Sequence, residues 1–204
     1  MKIIKKVSYN SAFYICKQLG RNHLKRSILY FGFQAIYGDA MKFAAIIIAS
    51  LALDAFLTTV TVAVSFALLR RNAGGFHLKT EFGCTIFTVI ICVTPGYLLS
   101  RLTPDVKTGI SFLVAIYIYS FISILKYAPK GCENRPITLE YEIKKFKKKS
   151  IQSLILLCSS SIVLLSLNQF YISFSVCIGC LLEVLTINPF IFAWVERKKT
   201  FKLY

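Results

Sequence analysis

A cysteine follows a histidine by seven positions in the stretch Arg70-Arg71-Asn72-Ala73-Gly74-Gly75-Phe76-His77-Leu78-Lys79-Thr80-Glu81-Phe82-Gly83-Cys84, which lies between two long apolar runs. His77 is one of only two histidines in the chain. A thiol and an imidazole at a water–lipid boundary are what a thiol peptidase needs: a nucleophile, and a base that takes and returns its proton. Gly74-Gly75 permits a tight turn, because glycine accepts positive φ at little cost. Thr80 followed by Glu81 reads as a helix start, a cap and then an acid near the positive end of the dipole. Cys84 then falls in the first turns of the next apolar helix. There the helix N-terminus and the cations Arg70, Arg71 and Lys79 favour a thiolate. One straight helix through residues 77 to 84 would separate the two Cα atoms by ~10.5 Å along its axis, too far for a Cys–His hydrogen bond. The break before Thr80 leaves His77 on the loop, free to fold back toward the sulfur. Spacing alone leaves two readings open, a catalytic pair and an interfacial histidine near a buried cysteine.

Other chemistries find less support. Two histidines are too few for a zinc peptidase, and no metal or cofactor is expected. There is no Gly-x-Ser-x-Gly elbow, no phosphate-binding loop and no intramembrane aspartyl motif. The seven cysteines are Cys16, Cys84, Cys92, Cys132, Cys158, Cys177 and Cys180. Most lie in apolar runs, where cysteine behaves as a small hydrophobe, so no disulfide framework is expected. Cys177-x-x-Cys180 looks like half a metal or redox motif, but it has no second pair and no nearby histidine, and it reads as helix packing.

The elements that must position the pair are membrane helices. The chain has 204 residues, 56% hydrophobic and 17% charged, with a mean hydropathy of +0.63. A soluble domain is less apolar and more charged. The expected class is all-α, one polytopic helix bundle without repeats or a dividing linker. Residues 85–100, 108–125, 151–167 and 170–195 read as four spans. Residues 41–69 are too long for one crossing and too short for two.

Charge settles the count. Basic clusters lie in residues 1–26 and 70–79, and the positive-inside rule puts both in the cytoplasm. Two spans must then separate them, the first starting near Ile28 and turning near Asp54, the second ending at Leu69. Six spans follow, with both termini inside. Cytoplasmic segments then hold 22 of the 25 Lys/Arg residues, external loops hold two, and Lys42 lies within the first span. The single domain divides into an amphipathic cytoplasmic segment 1–26, a bundle 27–195 and a cytoplasmic tail 196–204. Ala12, Ile15, Cys16 and Leu19 lie at helical spacing, as in an amphipathic helix on the membrane surface. The basic segment before the first apolar run is too long for an ordinary cleavable signal peptide.

The net charge of +16 would suggest nucleic acid in a soluble protein. Here it reads as topology, with attraction to anionic lipid or an acidic peptide as a second use; no nucleic acid is expected. Asp39 and Lys42 fall deep in the first span, three residues apart, so they can pair and are expected to face the bundle interior or a water-filled cavity. Glu183 in the last span has no partner evident from the sequence. These three would also suit a different class, a small peptide transporter or accessory subunit that cuts nothing.

Arg70-Arg71-x-Ala73-Gly74-Gly75-x-His77 followed by Cys84 resembles the signature of the accessory gene regulator B (AgrB) family of quorum-sensing peptide processors. Tyr127-Ala128-Pro129 leading to Asn134-Arg135-Pro136-Ile137 looks like that family's cytoplasmic loop, with Gly131 a departure where family members often carry an acid. Gly179-x-x-x-Glu183 and Pro189 fit its last span, and the resemblance covers essentially the whole chain. It implies a multi-pass bacterial membrane cysteine endopeptidase that cleaves the C-terminal part of a short precursor peptide and promotes thiolactone closure. By the same resemblance Cys84 is the nucleophile, His77 the general base and acid, and Arg70 and Gly75 site-shaping residues. The implied partner is a precursor with an internal cysteine and an acidic C-terminal tail, and a homodimer stays open.

Overall fold

The computed structural model describes residues 2–20, 23–76, 78, 80–102, 106–131 and 139–200, without the side chains of 2, 106–108 and 196–200. His77, Lys79, Cys132 and the stretch 134–137 therefore lie outside the described residues. Among the described residues eight helices run in chain order: α1 Lys2–Gln18, α2 His23–Ala52, α3 Phe56–Ala73, α4 Glu81–Arg101, α5 Val106–Tyr127, α6 Glu140–Ser166, α7 Phe170–Ile187 and α8 Pro189–Thr200. The all-α reading holds. Five of these helices, α2, α4, α5, α6 and α7, are long and apolar enough to cross a membrane. The sixth long helix, α3, has 18 residues, as many as α7, but ends in Arg70 and Arg71; it is about 27 Å long at 1.5 Å per residue. The turn between α2 and α3 comes where charge counting requires it, with Asp54 at φ 50°.

The bundle is built around α7, which packs against α3, α4, α5, α6 and α8. One apolar cluster joins Leu69 and Ala73 of α3, Ile124 of α5, Leu154 and Leu157 of α6, and Cys180, Val184 and Ile187 of α7. A second joins Ile46 of α2, Val62 and Phe66 of α3, and Cys92 of α4. Cys177 and Cys180 are buried packing residues, as their apolar setting suggests. Small residues let the backbones close in, the usual device where lipid removes the hydrophobic drive between helices. A Cβ on Gly179 would stand 2.6 Å from Val62 O and 2.7 Å from Ser65 Cβ, so α7 crosses α3 in near backbone contact. Buried hydroxyls add bonds between helices: Thr58 Oγ1 donates to Gly96 O at 2.7 Å, and Ser161 and Ser173 each donate to the other's carbonyl, at 3.2 and 3.0 Å.

Two expectations change. The last span does not run through 170–195: α7 ends at Ile187 and α8 begins at Pro189. Proline lacks the N–H that would continue α7 and forces the preceding residue out of helical geometry; Asn188 has φ −60°, ψ 128°. The Asn188 side chain then caps α8, accepting from Phe190 N–H at 3.0 Å. Second, Asp39 and Lys42 do pair, at 2.9 Å, but Asp39 is 67% exposed and does not face the bundle interior, while Lys42 is half-buried beside it on α2. Gln34 Nε2 donates to Glu81 Oε1 at 2.6 Å, so residue 34 of α2 is level with the start of α4. Asp39 lies five residues further along, about 7.5 Å at helical rise, which is near one end of the bundle and not deep within it. The N-terminal helix of the sequence reading forms as α1, with Ala12 and Cys16 buried where it packs against α2. Ser11 bonds to Tyr37 OH at 3.0 Å, and Tyr9 meets Tyr30 edge-on at 6.4 Å. Leu19 stays exposed with Ile3, Val7 and Tyr14.

The close crossing of α3 and α7 sets a stability test. Gly179→Ala forces the two backbones apart and is expected to cost about 1–3 kcal/mol, as overpacking does. Gly38→Ala is the control, since nothing lies within 4 Å of a Cβ there. Thermal unfolding in detergent checks the pair: equal melting temperatures would contradict this packing.

Candidate active site

The sequence at the end of α3 leaves the helix by two glycines. Gly74 has φ 83° and Gly75 φ 129°, conformations that side chains strongly disfavour. Space demands glycine as well. A Cβ on Gly74 would run into Lys130 O, and one on Gly75 into Thr186 Oγ1 and, at 2.9 Å, Arg70 Nη1. Lys130 N–H donates to Ala73 O at 2.8 Å and Gly75 N–H to Lys130 O at 3.1 Å. A short parallel bridge thus ties the end of α3 to the chain leaving α5. Lys130 Nζ lies 4.7 Å from the ring centre of Phe192, which brings α8 to the same place.

Arg70 organises this end of the bundle. Its Nη1 donates to Glu183 Oε2 at 3.3 Å and to Thr186 Oγ1 at 3.0 Å, both on α7. Its Nη2 donates to Phe76 O. The guanidinium also lies over the ring of Phe66, 5.4 Å from the centroid. Glu183 therefore has its partner, which the sequence did not reveal. Glu183 and Thr186 are three residues apart and share a helical face, the one available signal that an acid and a hydroxyl present themselves together. Glu183 is paired with Arg70, while Asp39 and Lys42 sit together on α2, so the three do not form one network.

Cys84 is placed by α4. Thr80 adopts extended geometry (φ −113°, ψ 138°) and its side chain accepts from Gly83 N–H at 3.0 Å, the cap expected of it, with Glu81 in the first turn. Cys84 N–H donates to Thr80 O at 3.0 Å, so the thiol stands in the opening turn of the helix. It is partly buried, whereas Cys16, Cys92, Cys177 and Cys180 are buried. Cys158, the other partly buried thiol among the described cysteines, lies in the middle of α6.

Phe76 links the two halves. It is buried, and its ring packs on Phe87 of α4 at 5.6 Å. Phe87 is three residues beyond Cys84, on the same helical face. The residue before His77 is thus anchored one turn along α4 from the thiol, with its carbonyl held by Arg70. Arg71 is exposed at the same end of α3. His77 and Lys79 lie outside the described residues, as noted. Asn72 donates to Ser153 Oγ on α6 at 2.8 Å and Glu81 accepts from Gln34; both have structural partners. Sequence reasoning missed Phe76, Phe87, Lys130 and Thr186, whose importance lies in contacts between distant segments. Among the described residues no group of three His, Cys, Asp or Glu could hold a metal ion.

The family model described as accessory gene regulator B matches residues 8–187. The chain is 30% identical over 181 residues to accessory gene regulator protein B of Staphylococcus aureus (strain bovine RF122 / ET3-1), covering 89% of this chain and 92% of the relative. It is 23% identical over 168 residues to a putative AgrB-like protein of Listeria innocua serovar 6a, covering 82% and 79%. A putative AgrB-like protein 2 of Clostridium perfringens (strain 13 / Type A) is 23% identical over 155 residues, covering 74% and 72%. No solved structure matches. With a family match across most of its length and a bundle of long apolar helices, the chain is a multi-pass membrane protein that belongs to the accessory gene regulator B family.

Proposed function

We propose that this chain is a membrane cysteine endopeptidase that removes the C-terminal part of a quorum-sensing precursor peptide and promotes closure of the product into a thiolactone. The observation that carries the reading is the placement of Cys84 in the opening turn of α4, on the helical face where Phe87 fixes Phe76, the residue bonded to His77. Cys84 is the nucleophile and His77 the general base and acid. His77 takes the thiol proton, and the sulfur attacks the scissile carbonyl. The C–N bond breaks, His77 returns its proton to the leaving amine, and the N-terminal product remains on Cys84 as a thioester. A cysteine thiol within the substrate then attacks that thioester. Its proton passes through His77 to the departing Cys84 sulfur, and the ring closes.

Thioester is exchanged for thioester, so closure meets no large loss of acyl energy. A serine nucleophile would give an ester and forfeit that advantage. Water is the competing nucleophile, and a site at the edge of an apolar bundle limits its access. The transport reading drew on buried Asp39, Lys42 and Glu183; Asp39 is exposed beside Lys42 on α2, and Glu183 is bound to Arg70.

Replacing the reacting groups tests the proposal. Cys84→Ala is expected to abolish cleavage of a co-expressed precursor and His77→Ala to slow it by about 10²–10⁴-fold, both inserting normally, with Cys177→Ala and Cys180→Ala cleaving as wild type. Cleavage retained in Cys84→Ala would contradict the peptidase reading.

The proposed substrate carries an acidic tail that meets Arg71, Lys79 and the lysines of 144–149 on the cytoplasmic side, where both termini also lie; the same cations suit anionic lipid. Single exposed pairs contribute only about 0.2–1 kcal/mol, so selectivity needs several together. Neutralising the tail is expected to raise KM at low salt, and the difference should vanish toward 1 M, where the Debye length is about 3 Å. An unchanged KM at low salt would leave the cations to topology and lipid. Sidedness is checked by impermeant labelling of cysteines placed at residues 5 and 200, and labels on opposite faces would contradict it.

A further inference from the structure

We propose that Glu183 is a positioning residue for the reaction: through Arg70 it fixes the backbone at Phe76 and hence the histidine that follows. This rests on the reading of Cys84 and His77 as nucleophile and base. Glu183 is fully buried on the central helix, so it cannot meet a substrate arriving from the loops. Its Oε2 holds Arg70 Nη1 at 3.3 Å, and Thr186, one turn on, accepts from the same nitrogen at 3.0 Å. The other amine, Nη2, donates to Phe76 O. A guanidinium is a rigid planar fork, so fixing one amine on α7 fixes where the other points. Gly75 lies directly on this clamp, with Thr186 Oγ1 and Arg70 Nη1 where a Cβ would be. Phe76 is thus held twice, its carbonyl by Arg70 of α3 and its ring by Phe87 of α4.

Stability does not explain the arrangement. A buried ion pair is often no more stabilising than apolar groups of the same shape, and Glu183 Oε1 is buried with no hydrogen-bond partner among the described residues. What an apolar pair could not do is pass a fixed orientation from the centre of the bundle to the carbonyl before His77.

The test is steady-state cleavage of the precursor by full-length protein in nanodiscs. Glu183→Gln keeps the shape but weakens the hold on Nη1, and is expected to lower kcat at least tenfold with KM within threefold. Arg70→Lys keeps a cation beside Glu183 but has no second amine for Phe76 O, and is expected to lose a similar factor. The double variant Arg70→Met/Glu183→Leu removes both charges. It is expected to melt at or above the wild-type temperature and still turn over at least a hundredfold more slowly. Wild-type kcat in Glu183→Gln or Arg70→Lys overturns the proposal, as does double-variant activity within threefold of wild type or a loss that only tracks the folded fraction. Cleavage persisting in Cys84→Ala would instead defeat the peptidase reading. An inactive Cys84→Ala beside a fully active Glu183→Gln defeats the positioning role alone.

Discussion

A guanidinium inside an apolar bundle must find acceptors, and the site end of this protein is arranged around that requirement. Arg70 has its acceptors on two elements: Glu183 and Thr186 on α7, 113 and 116 positions away, and Phe76 O on the adjoining loop after α3. Removing one member of a buried ion pair commonly costs about 3–5 kcal/mol, because the other charge is left uncompensated. The pair therefore locks the end of α3 to α7 against alternatives. The glycines follow from it. Gly75 must lack a side chain because the clamp occupies that space, and Gly74 because Lys130 O does.

The chemistry proposed for Cys84 uses the same frame. α4 begins where Thr80 closes its first turn, and its face is joined to the Gly-Gly loop through Phe76 and Phe87. The loop therefore has one fixed end on α7 and another on α4. In the proposed mechanism, anchoring Phe76 serves the entropic part of catalysis, bringing base and thiol together without a long search. The bridge from Ala73 and Gly75 to Lys130 joins the loop after α5 to the same centre.

Local and charge-driven features were legible in the sequence. The even number of spans follows from two basic clusters that must share one side, and the turn at Asp54 follows from the count. Thr80 reads as a cap from its place before Glu81, and Cys177 and Cys180 read as packing because their surroundings are apolar. Features set by long-range contact were not legible. No period in the sequence reports that Glu183 lies against Arg70, 113 positions away, or that Lys130 pairs with Ala73. Asp39 was placed in the interior because a charge in lipid is costly; the register of α2 against Glu81 moves it toward the end of the bundle, where that cost falls. The apolar run through residue 195 hid a break because hydropathy averages over Pro189, whose missing N–H ends α7.

The central claim is that Cys84 carries the N-terminal product as a thioester before the ring closes. The most direct measurement is intact-mass analysis of the protein after reaction with a precursor whose internal cysteine is replaced by alanine, so that closure is blocked. The account predicts a covalent adduct on Cys84, heavier by the N-terminal product less one water, that neutral hydroxylamine removes and that Cys84→Ala never forms. Cleavage of that precursor at the normal rate in Cys84→Ala, with no adduct on the wild-type protein at any time, would contradict it.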